Sequence, residues 1–235
     1  MAALYLAHAV AALVLVVAAA LPRRARGEVT VVVCLLGAAA GLALVFAPDI
    51  AWRTTVLDEA SALIVGGSIA CAWVLAAVLG PAWERWRTGA LVGVASTGLA
   101  LFAANQWVVP ALLFWLIAGL ATIALSLRPG GQGVAAAWIG VADAAVVAGL
   151  VGYAVIESSW SLPAAVTGWP RWVIFAGALA RAGAIPRIGI WQTLRSAAAA
   201  CLPLAAAGAF VVIHRFVGGP LPWAGVGLLA AGVAV

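Results

Sequence analysis

The chain contains no lysine. Only 8% of its residues are charged, where soluble domains carry about 25%. That shortage excludes an ordinary water-facing surface. Hydrophobic residues make up 67% of the sequence, and apolar stretches long enough to cross a bilayer as helices recur along it. The formal net charge of +5 comes entirely from arginine. In a polytopic membrane protein such a balance reports orientation on the bilayer, and no nucleic-acid partner is implied. Cysteine is scarce: Cys34, Cys71 and Cys201 each stand alone in an apolar run. Their spacing excludes a disulfide framework and a thiolate metal site, and they read as small buried residues.

Other absences narrow the function. The sequence has no GxxxxGK[ST], no HExxH, no nucleophile elbow and no CxxC. No catalytic site, metal or cofactor is expected, so at most the chain is a non-catalytic membrane subunit of an oxidoreductase or transport complex. Its two histidines, His8 and His214, fall on the same expected face and far apart in sequence, which is a poor basis for haem ligation. A signal peptide carries its positive charge before the apolar core. Here RRARGE follows ALYLAHAVAALVLVVAAALP, so the first segment reads as a retained helix.

What is present is a series of apolar runs at 2–21, 29–47, 59–80, 89–104, 107–127, 134–155, 171–186 and 196–217, with a final piece from 221. Each joint between them carries Pro, Gly or charge, as helix ends do. Backbone groups in lipid must be satisfied within a segment, so all are helix candidates. The expected fold is an all-α transmembrane bundle of eight to nine helices forming a single domain over 1–235. The last run stops after about 15 residues, short for a span. It therefore reads as a chain that stops early or a short helix capped by a partner.

Alternating the sides puts Arg23, Arg24, Arg26, Arg85, Arg87, Arg128, Arg187 and Arg195 on one face, and Arg53, Arg171 and Arg215 on the other. The richer side is expected to be cytoplasmic, which puts the N-terminus outside a cell inner (cytoplasmic) membrane. Tryptophans 52, 83, 86, 107, 160, 169 and 191 lie near the expected interfaces and read as an aromatic belt. The stretches GLALVFAP and VGGSIACAW read as surfaces for close helix packing.

Few ionisable groups fall inside the runs: His8, Asp143 and Arg181. A charge at the centre of a membrane helix costs about 2.5–3.5 kcal/mol on insertion scales, so it faces a protein interior and a partner. Asp143 and Arg181 lie at similar depth in neighbouring antiparallel segments, and each is expected to pair with the other. His8 reads as a packed polar side chain before it reads as a proton relay. His214 and Arg215 sit at a helix end, Glu157 opens a polar loop, and Asp58 with Glu59 suits a helix N-terminus.

Four segments then resemble one family. LDEASAL (57–63) is similar to the entry to the third helix of the antiporter-like subunits. These are the proton-pumping membrane subunits of respiratory complex I, membrane-bound hydrogenases and Mrp-type cation/proton antiporters. NQWVVPALLFWLIAGLATIAL resembles their fifth helix, FAGALARAGAIPRIGIW their seventh, and SAAAACLPLAAAGAFVVIHRF their eighth. The resemblance covers about 58–216 and appears in the family's order. It implies a seventh helix broken near Pro186, other membrane subunits as partners, and a role in proton or cation translocation around Asp143 and Arg181.

The departures are informative. The family's fifth-helix glutamate falls on Leu116, its seventh-helix lysine on Arg181, and its eighth-helix histidine and lysine on Ala200 and Ala206. The segment after Trp191 is shortened to WQTLRS, and a second inverted set of helices is missing from the sequence. Arginine, unlike lysine, effectively cannot lose its proton. Arg181 is thus a fixed charge, and Asp143 is the titratable group. Three readings remain open: an ion-guiding subunit, a scaffold that anchors redox or bicarbonate-uptake partners, or an unrelated multi-helix carrier.

Overall fold

The computed structural model describes residues 2–46, 51–52, 55–56, 58–128, 133–162, 165–187 and 196–217. The described residues form a helical bundle: α1 Ala2–Ala18, α2 Arg23–Phe46, α3 Glu59–Val78, α4 Arg85–Ala104, α5 Val108–Ser126, α6 Gly133–Ile156 and α7 Gly168–Arg187. The eighth, α8, has three parts: a 3₁₀ turn at Ala197–Ala200, α-helix over Cys201–Val212, and a π-helical turn at Ile213–Val217. A short antiparallel ladder joins β1 Ala51–Trp52 to β2 Thr55–Val56 before α3. The expected ninth segment, from 221, lies outside the described residues.

Six of these helices are long and apolar enough to cross a membrane. Leu13, Val17, Leu36, Leu120, Val141 and Val155 are large apolar side chains exposed on the outside of the bundle. Soluble monomers rarely expose contiguous apolar patches beyond a few hundred Å², so this surface belongs in lipid. The chain is a membrane protein.

Contacts at the two ends fix how the helices alternate. At one end, the Arg26 guanidinium lies 5.9 Å from the Trp86 ring, Arg128 Nη1 lies 3.8 Å from Glu84 Oε1, and Gly80 abuts Ala197. At the other, His214 Nε2 lies 3.5 Å from Asp58 Oδ1, Val108 N donates to Trp160 O at 2.8 Å, and Val166 N donates to Phe216 O at 2.9 Å. RRARGE, PAWERWRT and the start of RPGGQG therefore share one face. The polar joints before α3, α5 and α7 share the opposite one.

Within lipid, helices associate by close van der Waals packing of small residues more than by hydrophobic driving force. The α2–α3 crossing shows this: a Cβ added at Gly66 would come within 2.6 Å of Gly41 O. Hydroxyls are satisfied locally, with Thr30, Thr97 and Thr122 donating to carbonyls four residues back at 2.7–2.8 Å. Asp58 caps α3 as its sequence suggests, with Oδ1 accepting from Ser61 N at 2.8 Å.

Two helix starts differ from the sequence expectation. α2 begins at Arg23 and α4 at Arg85, six and four residues before the apolar runs do. Apolar runs mark only the hydrocarbon-spanning part of a helix. Arginine is a good helix former, so both helices continue into the polar zone. For α2, Pro22 stands just before the first turn and its carbonyl accepts from Arg26 N at 2.9 Å.

Candidate functional site

The site is built where α5, α6, α7 and α8 meet. α6 presents Asp143 on its buried stripe with Ile139, Val146 and Leu150, at helical spacing. α7 presents Arg181 beyond Ile174 and Ala178 on the same kind of stripe. Arg181 is 1% exposed and Asp143 is 5% exposed. Arg181 Nη1 donates directly to Asp143 Oδ1, so the two groups singled out from sequence are brought together in the interior.

The walls of the site come from α5 and α8. The Arg181 guanidinium carbon lies 4.5 Å from the centroid of the Trp115 ring, in cation–π geometry. Gly119, one turn along α5, leaves the space that Asp143 Oδ2 fills. Gly208 on α8 does the same for Arg181: a Cβ there would lie 2.7 Å from its Nε. Any larger residue at 119 or 208 would overlap the ion pair.

Three polar atoms of this cluster are buried without a hydrogen-bond partner among the described residues: Asp143 Oδ2, Arg181 Nε and Trp115 Nε1. A buried polar atom in that condition costs about 1–3 kcal/mol, so among the described residues the cluster is under-satisfied. Chemically, one carboxylate oxygen is held by a fixed cation and the other is left to accept a proton or coordinate a small cation.

From Trp115 an aromatic series runs toward the face that carries Asp58 and His214. Trp115 packs on Phe102 with centroids 4.7 Å apart, and Phe102 meets Phe216 edge-on at 5.8 Å. Arg215 lies 5.6 Å from the Phe216 ring and donates through Nη1 to Phe102 O at 2.9 Å, and also to Ala103 O and Asn105 O. These are carbonyls at the C-terminus of α4, where a cation is favoured by the helix dipole. Arg215 thus sits at a helix end, as its place in the sequence suggests, and there it caps the C-terminus of a neighbouring helix.

The other singled-out residues are dispersed. His8 is fully buried in the α1–α4 half, where its Nδ1 accepts from Trp73 Nε1 at 3.2 Å. His214 stacks on Phe210 at 5.7 Å and faces Asp58. Glu157 is exposed just after α6. Pro186 lies within the described end of α7, which runs to Arg187; residues 188–195, including Trp191, lie outside the described residues. Leu116, the position of the family's fifth-helix glutamate, is 44% exposed on the outside of the bundle. Ala200 is buried at the end of the 3₁₀ turn, and Ala206 is half-buried.

Sequence reasoning passed over Trp115, Gly119, Gly208 and Arg215 as site-forming residues. The available signal was the i, i+4 spacing of Trp115 and Gly119, which puts a flat ring and a gap on one face of α5. Trp73 and Trp115 also stand apart from the belt, since both are fully buried while Trp83, Trp107, Trp160 and Trp169 are exposed near helix ends. Among the described residues no group of three or more His, Cys, Asp or Glu gathers to hold a metal ion. No family model, curated protein or solved structure matches this chain.

Proposed function

We propose that the chain is an antiporter-like membrane subunit of a multi-subunit ion-coupled complex, and that it guides protons or cations past Asp143 and Arg181. The observation that carries this reading is the state of Asp143: a buried carboxylate with Oδ1 held by Arg181, and Oδ2 beside Gly119 without a hydrogen-bond partner among the described residues. Intramembrane charges of this kind mark ion pathways by default. The four family-like segments in family order support the same reading. In it, Asp143 Oδ2 takes and releases the ion, and Arg181 stays charged and positions the carboxylate. The N-terminus lies outside the inner membrane, α7 is broken near Pro186, the run from 221 forms a further helix, and other membrane subunits complete the path.

A second reading is a scaffold that anchors partner proteins of a redox or bicarbonate-uptake complex. It is favoured by the outward-facing Leu116 and by the fixed charge of Arg181, which together leave Asp143 as the one carboxylate at the centre among the described residues. Ion flux in vesicles reconstituted with the assembled complex separates the two. The ion-guiding reading expects Asp143→Asn to abolish flux with the complex intact, and Arg181→Lys to be tolerated. Full flux in Asp143→Asn would leave the chain as scaffold.

A further inference from the structure

A second polar feature lies away from the ion pair, at the end of the bundle where α1 turns into α2. A cavity of about 330 Å³ is lined there by Arg23, Arg26, Trp83, Trp86 and Arg87. Three guanidinium-bearing side chains therefore line one pocket with no acidic residue among them. The nearby acids are engaged elsewhere: Glu28 with Arg24 at 3.3 Å, and Glu84 with Arg128 at 3.8 Å. Arg26 and Arg87 flank the Trp86 ring at 5.9 and 5.2 Å, which holds both cations at the pocket wall. Arg26 donates through Nη2 to Leu21 O at 2.9 Å, while its Nε is buried without a partner among the described residues.

The local electrostatics are unfavourable as they stand. Arg23 and Arg26 sit in the first turn of α2, whose first turn has no acid, so positive charge meets the positive end of the helix dipole. An anion in the pocket reverses the sign of that interaction. Two exposed or half-exposed tryptophans place the pocket at headgroup depth.

Below the pocket an apolar groove of about 500 Å³ follows the α1–α4 seam. Ala9, Leu13 and Val16 line it from α1, and Ala90, Leu91 and Val94 from α4. Arg87 shares a face of α4 with Ala90, Leu91 and Val94, by their i+3, i+4 and i+7 spacing. Antiparallel packing of α1 on α4 is shown by Gly89 against Leu15 and Gly93 against Ala12, so Val16 lies toward the arginine end and Ala9 deeper in the membrane. The basic pocket and the apolar groove thus lie in succession along one face of α4.

We infer that this pocket and groove form a binding site for an anionic phospholipid, with its phosphate among Arg23, Arg26 and Arg87 and an acyl chain along the α1–α4 seam. Basic pockets between transmembrane helices recognise lipid headgroups in this way, and the groove distinguishes a lipid from free phosphate.

The test uses the full chain, purified with whatever subunits accompany it, and exchanged into mixed micelles. Retention of long-chain phosphatidylglycerol is compared with phosphatidylcholine, and competition with inorganic phosphate and with dihexanoyl phosphatidylglycerol. Long-chain phosphatidylglycerol should be retained preferentially, with about fivefold weaker retention for each of Arg26→Gln and Arg87→Gln. Arg24→Gln should behave as the parent, because Arg24 does not line the pocket. Leu13→Trp, which fills the groove, should remove the advantage of long chains, and all four variants should remain folded by circular dichroism. Equal retention of the two lipids, or displacement by inorganic phosphate as effective as by long-chain lipid, would overturn the proposal. So would retention that is unchanged in Arg26→Gln and Arg87→Gln, or a co-purifying protein that protects the pocket in place of lipid.

Discussion

Each half of the bundle buries a polar pair, and the two pairs are of different kinds. In the α1–α4 half, His8 accepts one hydrogen bond from Trp73, and both partners are uncharged in that arrangement. In the α5–α8 half, Arg181 and Asp143 bring two full charges into the same apolar interior. Among the described residues the neutral pair leaves one buried atom without a partner, His8 Nε2. By the same reckoning, among the described residues, the charged centre leaves three: Asp143 Oδ2, Arg181 Nε and Trp115 Nε1. A pair that served only to fix helix register would be less costly if neutral, as His8–Trp73 is. The excess polarity of the Asp143 centre is what points to an ion.

The comparison is sharpest under substitution. Arg181→Leu strands a buried carboxylate and should destabilise the protein by about 3–5 kcal/mol. Replacing Asp143 with Leu as well should recover most of that loss. Reversible unfolding in mixed micelles measures both, and additive losses would show that the two groups do not depend on each other. Arg215→Ala comes next. It uncaps the α4 carbonyls of Phe102, Ala103 and Asn105, and about 2–3 kcal/mol is expected from charged hydrogen bonds of this kind. Protection of the Val108 end of α5 against hydrogen exchange should fall in the same variant. The smallest effect is expected for His8→Leu, which leaves only the Trp73 N–H unpaired. About 1 kcal/mol is the expected scale, since hydrogen bonds inside membrane proteins average below that. A loss from His8→Leu equal to that from Arg181→Leu would erase the contrast between the halves.

Much of the architecture was legible because lipid restricts the choices. Apolar runs give helices, and the alternation of charged joints gives which ends cluster; the contacts of Arg26 with Trp86 and Asp58 with His214 agree with it. Asp143 and Arg181 could be matched because depth in an antiparallel pair follows from counting along two runs. Helix starts were less legible: RRAR looks like a loop by polarity, yet arginine propagates a helix beyond the hydrocarbon. The nest around the pair was not legible, because Gly119 and Gly208 act by lacking a side chain. One glycine among 26 carries no pattern of its own. Arg215 could be placed at a helix end, but its carbonyl partners on α4 could not be read, because it stands on the π turn at Ile213–Val217. Such a turn is set by tertiary contacts more than by local sequence.

The resemblance to antiporter-like subunits also divides along this line. Its seventh-helix position coincides with Arg181 at the centre of the site. Its fifth-helix position, Leu116, faces outward, and the α5 side chain that meets Arg181 is Trp115. The acid that meets Arg181 in this chain is Asp143, on α6. The carboxylate therefore stands on a different helix from the one the resemblance assigns.

In the proposed ion-guiding role, Asp143 exchanges a proton or cation while Arg181 stays charged. Infrared difference spectroscopy of the reconstituted complex reads this directly, through the carbonyl stretch of a protonated carboxyl group. If the ion is a proton, the account predicts a band that appears and disappears as a proton gradient is imposed and collapsed, shifts with Arg181→Lys, and is missing in Asp143→Asn. If it is a metal cation, the asymmetric carboxylate stretch should shift on adding that cation and lose the shift in Asp143→Asn. A spectrum in which neither signal depends on Asp143 would contradict the account.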